Sequence, residues 1–174
     1  MKVSGNYVFD FVDEQLLRTV VAESVASSIP SGVRGFLVTD DASDTAASAA
    51  KYGIELDDCA NTIVVRFRRE SQVHHAAVVV SGSRRIDVNG ALKAALDAQR
   101  ISFADREFVL SSTRMEYGGV TAFGLPASWS VVVDKLVMER SEIVMGAGVR
   151  GAKLVLAPSL LLKLPNVLVA AIAT

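Results

Sequence analysis

Cysteine is almost absent from this chain. Of 174 residues only Cys59 carries a thiol, so no internal disulfide can form and packing alone must hold the core. A lone cysteine of this kind fits a reducing compartment. Blocks of one charge are missing too. Eighteen Lys and Arg stand against 19 Asp and Glu, a formal net charge of −1. The broad electrostatic footprint of a nucleic-acid-binding protein is therefore not visible, although recognition of an RNA end alone stays open. Long apolar runs are also lacking. The stretch 154–164 is interrupted by Pro158 and Lys163, and 167–173 is far shorter than the ~20 residues that cross a bilayer. Met1-Lys2-Val3-Ser4-Gly5 opens without the apolar core of a secretion signal. These absences lead us to expect a cytoplasmic protein with no membrane partner.

The usual catalytic signatures are missing as well. No serine–histidine–acid order, no Cys-His pair in a local signature and no carboxylate pair stands out. His74 and His75 are adjacent, and adjacent strand residues point to opposite faces, so they cannot easily share a metal. With no second His or Cys cluster, no metal and no cofactor is expected. One surface histidine and one partly packed histidine is the simplest expectation.

What is present is hydrophobic: 51% of residues, against 21% charged. That suffices to bury a core in one domain over residues 1–174, whose first 40 residues read as a helical N-terminal part. Val12, Leu16, Leu17, Val20, Val21 and Val25 recur at helical spacing over 12–29, up to Pro30-Ser31-Gly32. A strand over 33–39 follows, then a helix over 41–50 with Asp44-Thr45 near its start and Gly53 at its end. From Asn61 the pattern turns to strands. Thr62–Val65 and Val73–Val80 flank Glu70-Ser71-Gln72 as a hairpin. Helices are expected at 88–99 (capped by Asp87), at 103–110 and at 160–164. Further strands are expected at 131–133, 143–145, 153–156 and 167–172. These strands do not alternate regularly with long helices, which argues against a doubly wound parallel sheet. An α/β (α+β) fold with a mixed, barrel-like β-sheet and peripheral helices fits better.

Three segments have the composition of a site. Tyr117-Gly118-Gly119-Val120-Thr121-Ala122-Phe123-Gly124-Leu125-Pro126 is rich in glycine, so a ligand could approach its backbone closely. A tight helix-to-strand connection is the simpler reading of the same pattern. Met145-Gly146-Ala147-Gly148-Val149-Arg150-Gly151-Ala152-Lys153 adds two cations to a glycine turn. It lacks the Gly-Lys-Ser/Thr ending of a phosphate-binding loop, and a strand rather than a helix follows. Arg150 could hold a phosphate or carboxylate, or could merely cap a solvated hairpin turn. Arg66-Phe67-Arg68-Arg69 with Arg84-Arg85 could grip a nucleic-acid backbone, or could be a solvated hairpin tip.

Taken together and in order, these segments resemble the YbaK/EbsC family, free-standing relatives of the editing domain of bacterial prolyl-tRNA synthetases. The resemblance covers residues 41–172. It rests on Ala60-Asn61-Thr62-Ile63-Val64-Val65, on 78–87, on Gly118–Gly124 and on Gly146–Gly151. It implies a trans-acting hydrolase, an aminoacyl-tRNA deacylase that removes wrong amino acids from tRNA. The partner would be a tRNA 3′ end carrying an amino acid, with an aminoacyl-tRNA synthetase as a further possible associate. No metal or cofactor is implied. By the resemblance, Gly118, Gly119 and Thr121 orient the ester carbonyl. Asn61, Thr62 and Lys153 hold the sugar-phosphate end. Val120, Ala122, Phe123, Gly124, Gly148, Arg150 and Gly151 complete the substrate-binding set. Three positions depart from the family pattern. Asn61 stands where deacylase members usually carry lysine, Lys153 where they can carry an acid, and Thr121-Ala122 where Ser-Pro is common. The loss of the lysine gives an alternative function, a module that binds a nucleotide or an aminoacyl-tRNA end without turnover. If Lys153 replaces part of the missing charge, it must lie near Asn61 and Gly119 and not in bulk solvent.

Overall fold

A computed structural model describes residue 7 and residues 9–174. Its fold is a mixed eight-stranded sheet with helices at its periphery, as the patterning predicts. The strands are β1 (Arg34–Leu37), β2 (Cys59–Arg69), β3 (Gln72–Ser81), β4 (Arg100–Phe103), β5 (Ser130–Asp134), β6 (Ile143–Gly146), β7 (Ala152–Leu156) and β8 (Val167–Ala170). They lie in the order β1-β7-β6-β2-β3-β5-β8, with β4 also paired to β2. The hairpin β2–β3 forms the spine, antiparallel from Ala60↔Ser81 to Arg69↔Gln72. Its two-residue turn puts Glu70 (φ 50) and Ser71 (φ 64) in the left-handed region, the backbone that the tightest hairpins need.

The helices are α1 (Glu14–Val20), α2 (Glu23–Ala26), α3 (Thr45–Tyr52), α4 (Lys93–Ala95), α5 (Arg106–Thr113) and α6 (Lys135–Met138). α3 follows its sequence signals. The Asp44 carboxylate accepts from the Ala47 N–H, and Gly53 closes the helix in the left-handed region (φ 65). Asp87 also caps as expected, accepting from Gly90 and Ala91.

Three helical expectations change. The single helix over 12–29 is two helices, because Val21 and Ala22 are extended and the Ala22 N–H donates to Ala147 O at 3.1 Å. A tertiary hydrogen bond overrides the periodicity there. The helix over 88–99 is a π turn at Val88–Leu92 followed by α4, ended by Asp97 at φ 49. Phe103 closes a strand rather than opening a helix, since Asp105 caps α5 by accepting from the Phe108 N–H. Residues 158–163 form a 3-10 helix.

The largest core cluster joins Leu17 and Val25 to Phe123, Val133, Met145, Leu154 and Leu161. A second, with Val65, Phe67, Val78, Leu92 and Ile172, fills the side of the sheet under the 88–96 segment. Among the described residues no helix is long and apolar enough to cross a membrane.

Candidate active site

β2 is partnered by β3 along its length, but its other edge is interrupted. β6 pairs there only with Cys59 and Ala60, and β4 only with Val65–Arg68. Residues 61–64 therefore face a gap between two strands. The carbonyls of Val64 and Arg68 point to that side, accepting from Ala104 at 3.0 Å and Gln99 at 2.8 Å. Backbone groups alternate sides along a strand, so the N–H and C=O of Thr62 turn toward the gap as well. The Thr62 hydroxyl is buried and has no hydrogen-bond partner.

A cavity of about 610 Å³ opens at this gap. Asn61, Thr62, Ile63 and Val64 form its floor, and Gly146 and Lys153 close one side. Phe103, Arg106, Val109 and Leu110 close the other, and Tyr117, Gly118 and Val120 come from the glycine loop. Asp44 and Thr45, at the start of α3, complete it.

One end is polar. Thr45 Oγ1 donates to Asn61 Oδ1 at 2.5 Å, which leaves the Asn61 amide NH₂ as its donor for a ligand. Lys153 is only 7% exposed, and its Nζ donates to Ser43 O at 2.7 Å. Burial lowers its pKa, and Arg150 adds to the lowering. The Cys59 thiol and the Asp44 carboxylate oppose it. Arg150 reaches the same residue, donating to Ser43 Oγ. Two cations thus converge on Ser43, one at its carbonyl and one at its hydroxyl. Arg150 also donates from Nη1 to Tyr117 O at 3.4 Å and from its backbone to Glu116 Oε2 at 2.6 Å. The other end is apolar, with Val64 and Val109 packed against Trp129, Val120 and Ala104.

The two glycine segments, far apart in sequence, interlock. Gly148 N–H donates to Gly119 O at 2.7 Å, and Glu116 N–H donates to Gly148 O at 2.9 Å. A Cβ on Gly119 would lie 2.7 Å from the Val149 carbonyl, and one on Gly146 would lie 2.6 Å from Val120 O. Glycine is needed at both because backbone meets backbone.

Of the residues expected at the site, Asn61, Thr62, Gly118, Val120 and Lys153 line the cavity together. Gly119, Gly148, Arg150 and Gly151 lie in the interlocked loops beside it. Thr121, Ala122 and Phe123 are at most 1% exposed and belong to the core side of the loop. Gly124 (φ 74) packs against the backbone of Ser24 and Val25. Sequence reasoning missed Ser43, Asp44, Thr45, Phe103 and Arg106. Asp44-Thr45 reads as a helix start and nothing more, and only the tertiary fold brings that start to Asn61. His74 and His75 point to opposite faces as expected, and both are half-buried. His74 stacks on Phe67 and His75 on Phe108, and burial lowers the His75 pKa. Among the described residues no cluster of three or more His, Cys, Asp or Glu could hold a metal ion.

Solved structures share this fold. A hypothetical protein, APE2540, superposes with a TM-score of 0.73 at 24% identity, over 82% of this chain and 91% of its own. A protein described as a candidate trans-editing enzyme for prolyl-tRNA synthetase gives 0.70 at 20% identity, over 82% and 87%. No curated protein sequence matches the chain. Residues 39–164 match the sequence model of the aminoacyl-tRNA editing domain. That span runs from the segment before α3 to the last 3-10 helix and takes in every wall of the cavity, so the chain belongs to the aminoacyl-tRNA editing domain family.

Proposed function

We propose that this protein is a trans-acting deacylase that hydrolyses the ester between a wrong amino acid and the 3′-terminal adenosine of tRNA. The observation that carries the reading is Lys153, a buried cation inside the same cavity as Asn61 and Gly118. Where the family pattern has a lysine on β2, this chain supplies its charge from β7 across the gap. Asn61, Thr62 and Lys153 hold the sugar-phosphate end. The apolar end beside Val64, Val109 and Val120 takes the amino-acid side chain.

The reaction needs a nucleophile, and the cavity wall offers no activated one. Its hydroxyls belong to Thr45, Thr62 and Tyr117, with no histidine beside them. The Cys59 thiol is buried and pushed up to about 11. Water, or a hydroxyl of the substrate acting on it, therefore attacks the ester carbonyl. The oxyanion forms, the ester C–O bond breaks, and the proton goes to the departing ribose oxygen. Backbone groups of Gly118 and the inward-facing N–H of Thr62 orient the carbonyl. Gly119 and Thr121 shape the loop from behind. Preorganised donors of this kind are worth roughly 10²–10³ in rate apiece.

The test is ester loss from a panel of mischarged tRNAs. Hydrolysis of one or a few substrates is expected, with Lys153→Ala slower by about 10- to 100-fold, the scale of a charged hydrogen bond. Thr62→Ala should also slow it. No ester loss from any substrate by folded protein would overturn the proposal. Asn61 favours a second reading, a binding module without turnover. Saturable adenosine binding with intact ester would select it.

A further inference from the structure

The rim of the cavity carries two exposed aromatic rings. Phe103, at the end of β4, is 61% exposed and Tyr117 is 54% exposed; Phe108 follows at 39%. No other described aromatic side chain is exposed to this degree, and both leading rings border the cavity. Exposed apolar groups gathered at the mouth of a groove mark a place where a ligand docks. A cation accompanies them. The Arg106 guanidinium carbon lies over the Tyr117 ring, 3.5 Å from its centroid, and Arg106 also borders the cavity. Further along the two strands, Arg100 pairs across β4–β2 with Arg68, and Ser102 with Arg66, on the sheet face that Val64 shares and not the one that Phe103 shares with Val65. All three arginines are exposed. The neighbouring carboxylates of Asp105 and Glu116 accept from the Phe108 and Arg150 N–H groups, and that of Glu107 is exposed beside Arg106.

Exposed rings at a cavity mouth, one of them with a guanidinium over it, suit one ligand chemistry, a single-stranded nucleic acid. Bases stack on rings and guanidinium planes while phosphates meet the charge. Both rings border the cavity that takes the last nucleotide, so the stretch of strand within their reach is the one next to it. We propose that Phe103, Tyr117 and Arg106 form a stacking platform for the unpaired nucleotides that precede the terminal adenosine. The platform rests on the editing reading for its choice of RNA end. It explains how a protein with a net charge of −1 can hold tRNA: it grips a short unpaired end, not a duplex. Stacking is tolerant of base identity, so the platform measures that the end is single-stranded and does not read its sequence.

Binding of short RNAs tests this without any turnover. Fluorescence anisotropy or calorimetry would compare AMP, the trinucleotide CCA, the trinucleotide UUA and a hairpin whose terminal A is base-paired. The full chain should bind CCA and UUA at least about tenfold more tightly than AMP, one stacked base's worth, and should bind the paired end no better than AMP. The ratio of CCA to AMP affinity should collapse toward unity in Phe103→Ala/Tyr117→Ala. Phe103→Leu/Tyr117→Leu, which keeps apolar bulk, guards against a folding defect and should lose the ratio as well. Arg106→Gln should flatten the salt dependence of CCA binding. A trinucleotide bound no more tightly than AMP, or a ratio that survives loss of both rings, would overturn the platform. Failure of the editing reading looks different: the trinucleotide preference would stand while no ester is cleaved.

Discussion

At the scale of single residues, Lys153 combines two demands that conflict. In the proposed function its charge serves a ligand, yet its burial costs stability. The cost has a pH signature. Burial lowers the Lys153 pKa in the folded chain, whereas an unfolded lysine titrates near about 10.4. Below the folded value both states hold the proton, and the full cost of burying the charge is carried. Between the folded and unfolded values only the unfolded chain is protonated, so stability rises with pH across that window. Urea unfolding of wild type and Lys153→Met, both in a Cys59→Ala background to remove the thiol titration, should diverge in favour of Lys153 as the pH climbs toward the ordinary lysine value. Parallel profiles would show that the charge is not buried in solution. Much at this scale is legible in sequence. Cys59 is the core residue expected (4% exposed), and Asp44, Gly53 and Asp87 act as the local signals predict. Lys153 is also identifiable, though only because a resemblance directs attention to its position. Nothing in its neighbours announces that it points inward.

At the scale of elements, the two glycine segments carry the main lesson. Read singly, each is as well explained by a tight connection as by a site. Their meaning lies in their contact, and no local pattern encodes which loop meets which. Strands and hairpin were readable because alternation and β-branching are local. The break at Val21-Ala22 was not, because its cause is the carbonyl of Ala147. β4 was hidden for a similar reason: Arg100–Phe103 is short, mostly exposed and held only by β2. The interlock makes a sharp prediction. A methyl on Gly119 would strike the Val149 backbone at 2.7 Å, and neither loop can yield without losing the Gly148–Gly119 hydrogen bond. Gly119→Ala should cost about 2 kcal/mol or more in urea unfolding, within the range of overpacking and lost backbone bonds. Gly151→Ala is the control, because a Cβ there meets nothing within 4 Å. It should stay within about 0.5 kcal/mol of wild type. Equal effects at the two positions would refute the interlock.

At the scale of the whole molecule, the sheet is two blocks joined by a narrow seam. β1, β7 and β6 form one block, and β2, β3, β4, β5 and β8 the other. Between them β6 and β2 share only the pairs Cys59↔Val144 and Ala60↔Met145. The cavity begins where that pairing stops, so the seam sets its width. Asp58 fastens the seam. It is fully buried, and its Oδ1 accepts from Arg140 Nε at 2.6 Å, its Oδ2 from Tyr7 OH at 2.7 Å and its backbone carbonyl from Val144 N–H at 2.8 Å. One carboxylate thus ties the N-terminal segment, the start of β2 and the approach to β6. The Tyr7 hydroxyl, desolvated and bonded to that carboxylate, has its pKa raised to about 12, so the tie holds through the neutral range. Asp58→Ala would strand the Arg140 guanidinium and the Tyr7 hydroxyl, a loss of about 3 kcal/mol for a pair of which one member is partly exposed. The loss should be local before it is global. Amide exchange should quicken at Val144, on the seam, well before it quickens at Val78, within the β2–β3 hairpin, and affinity for the proposed tRNA end should fall as the gap loosens. Exchange that quickens equally at both positions would mean the seam has no independence, and the width of the cavity would then be set by the sheet as a whole.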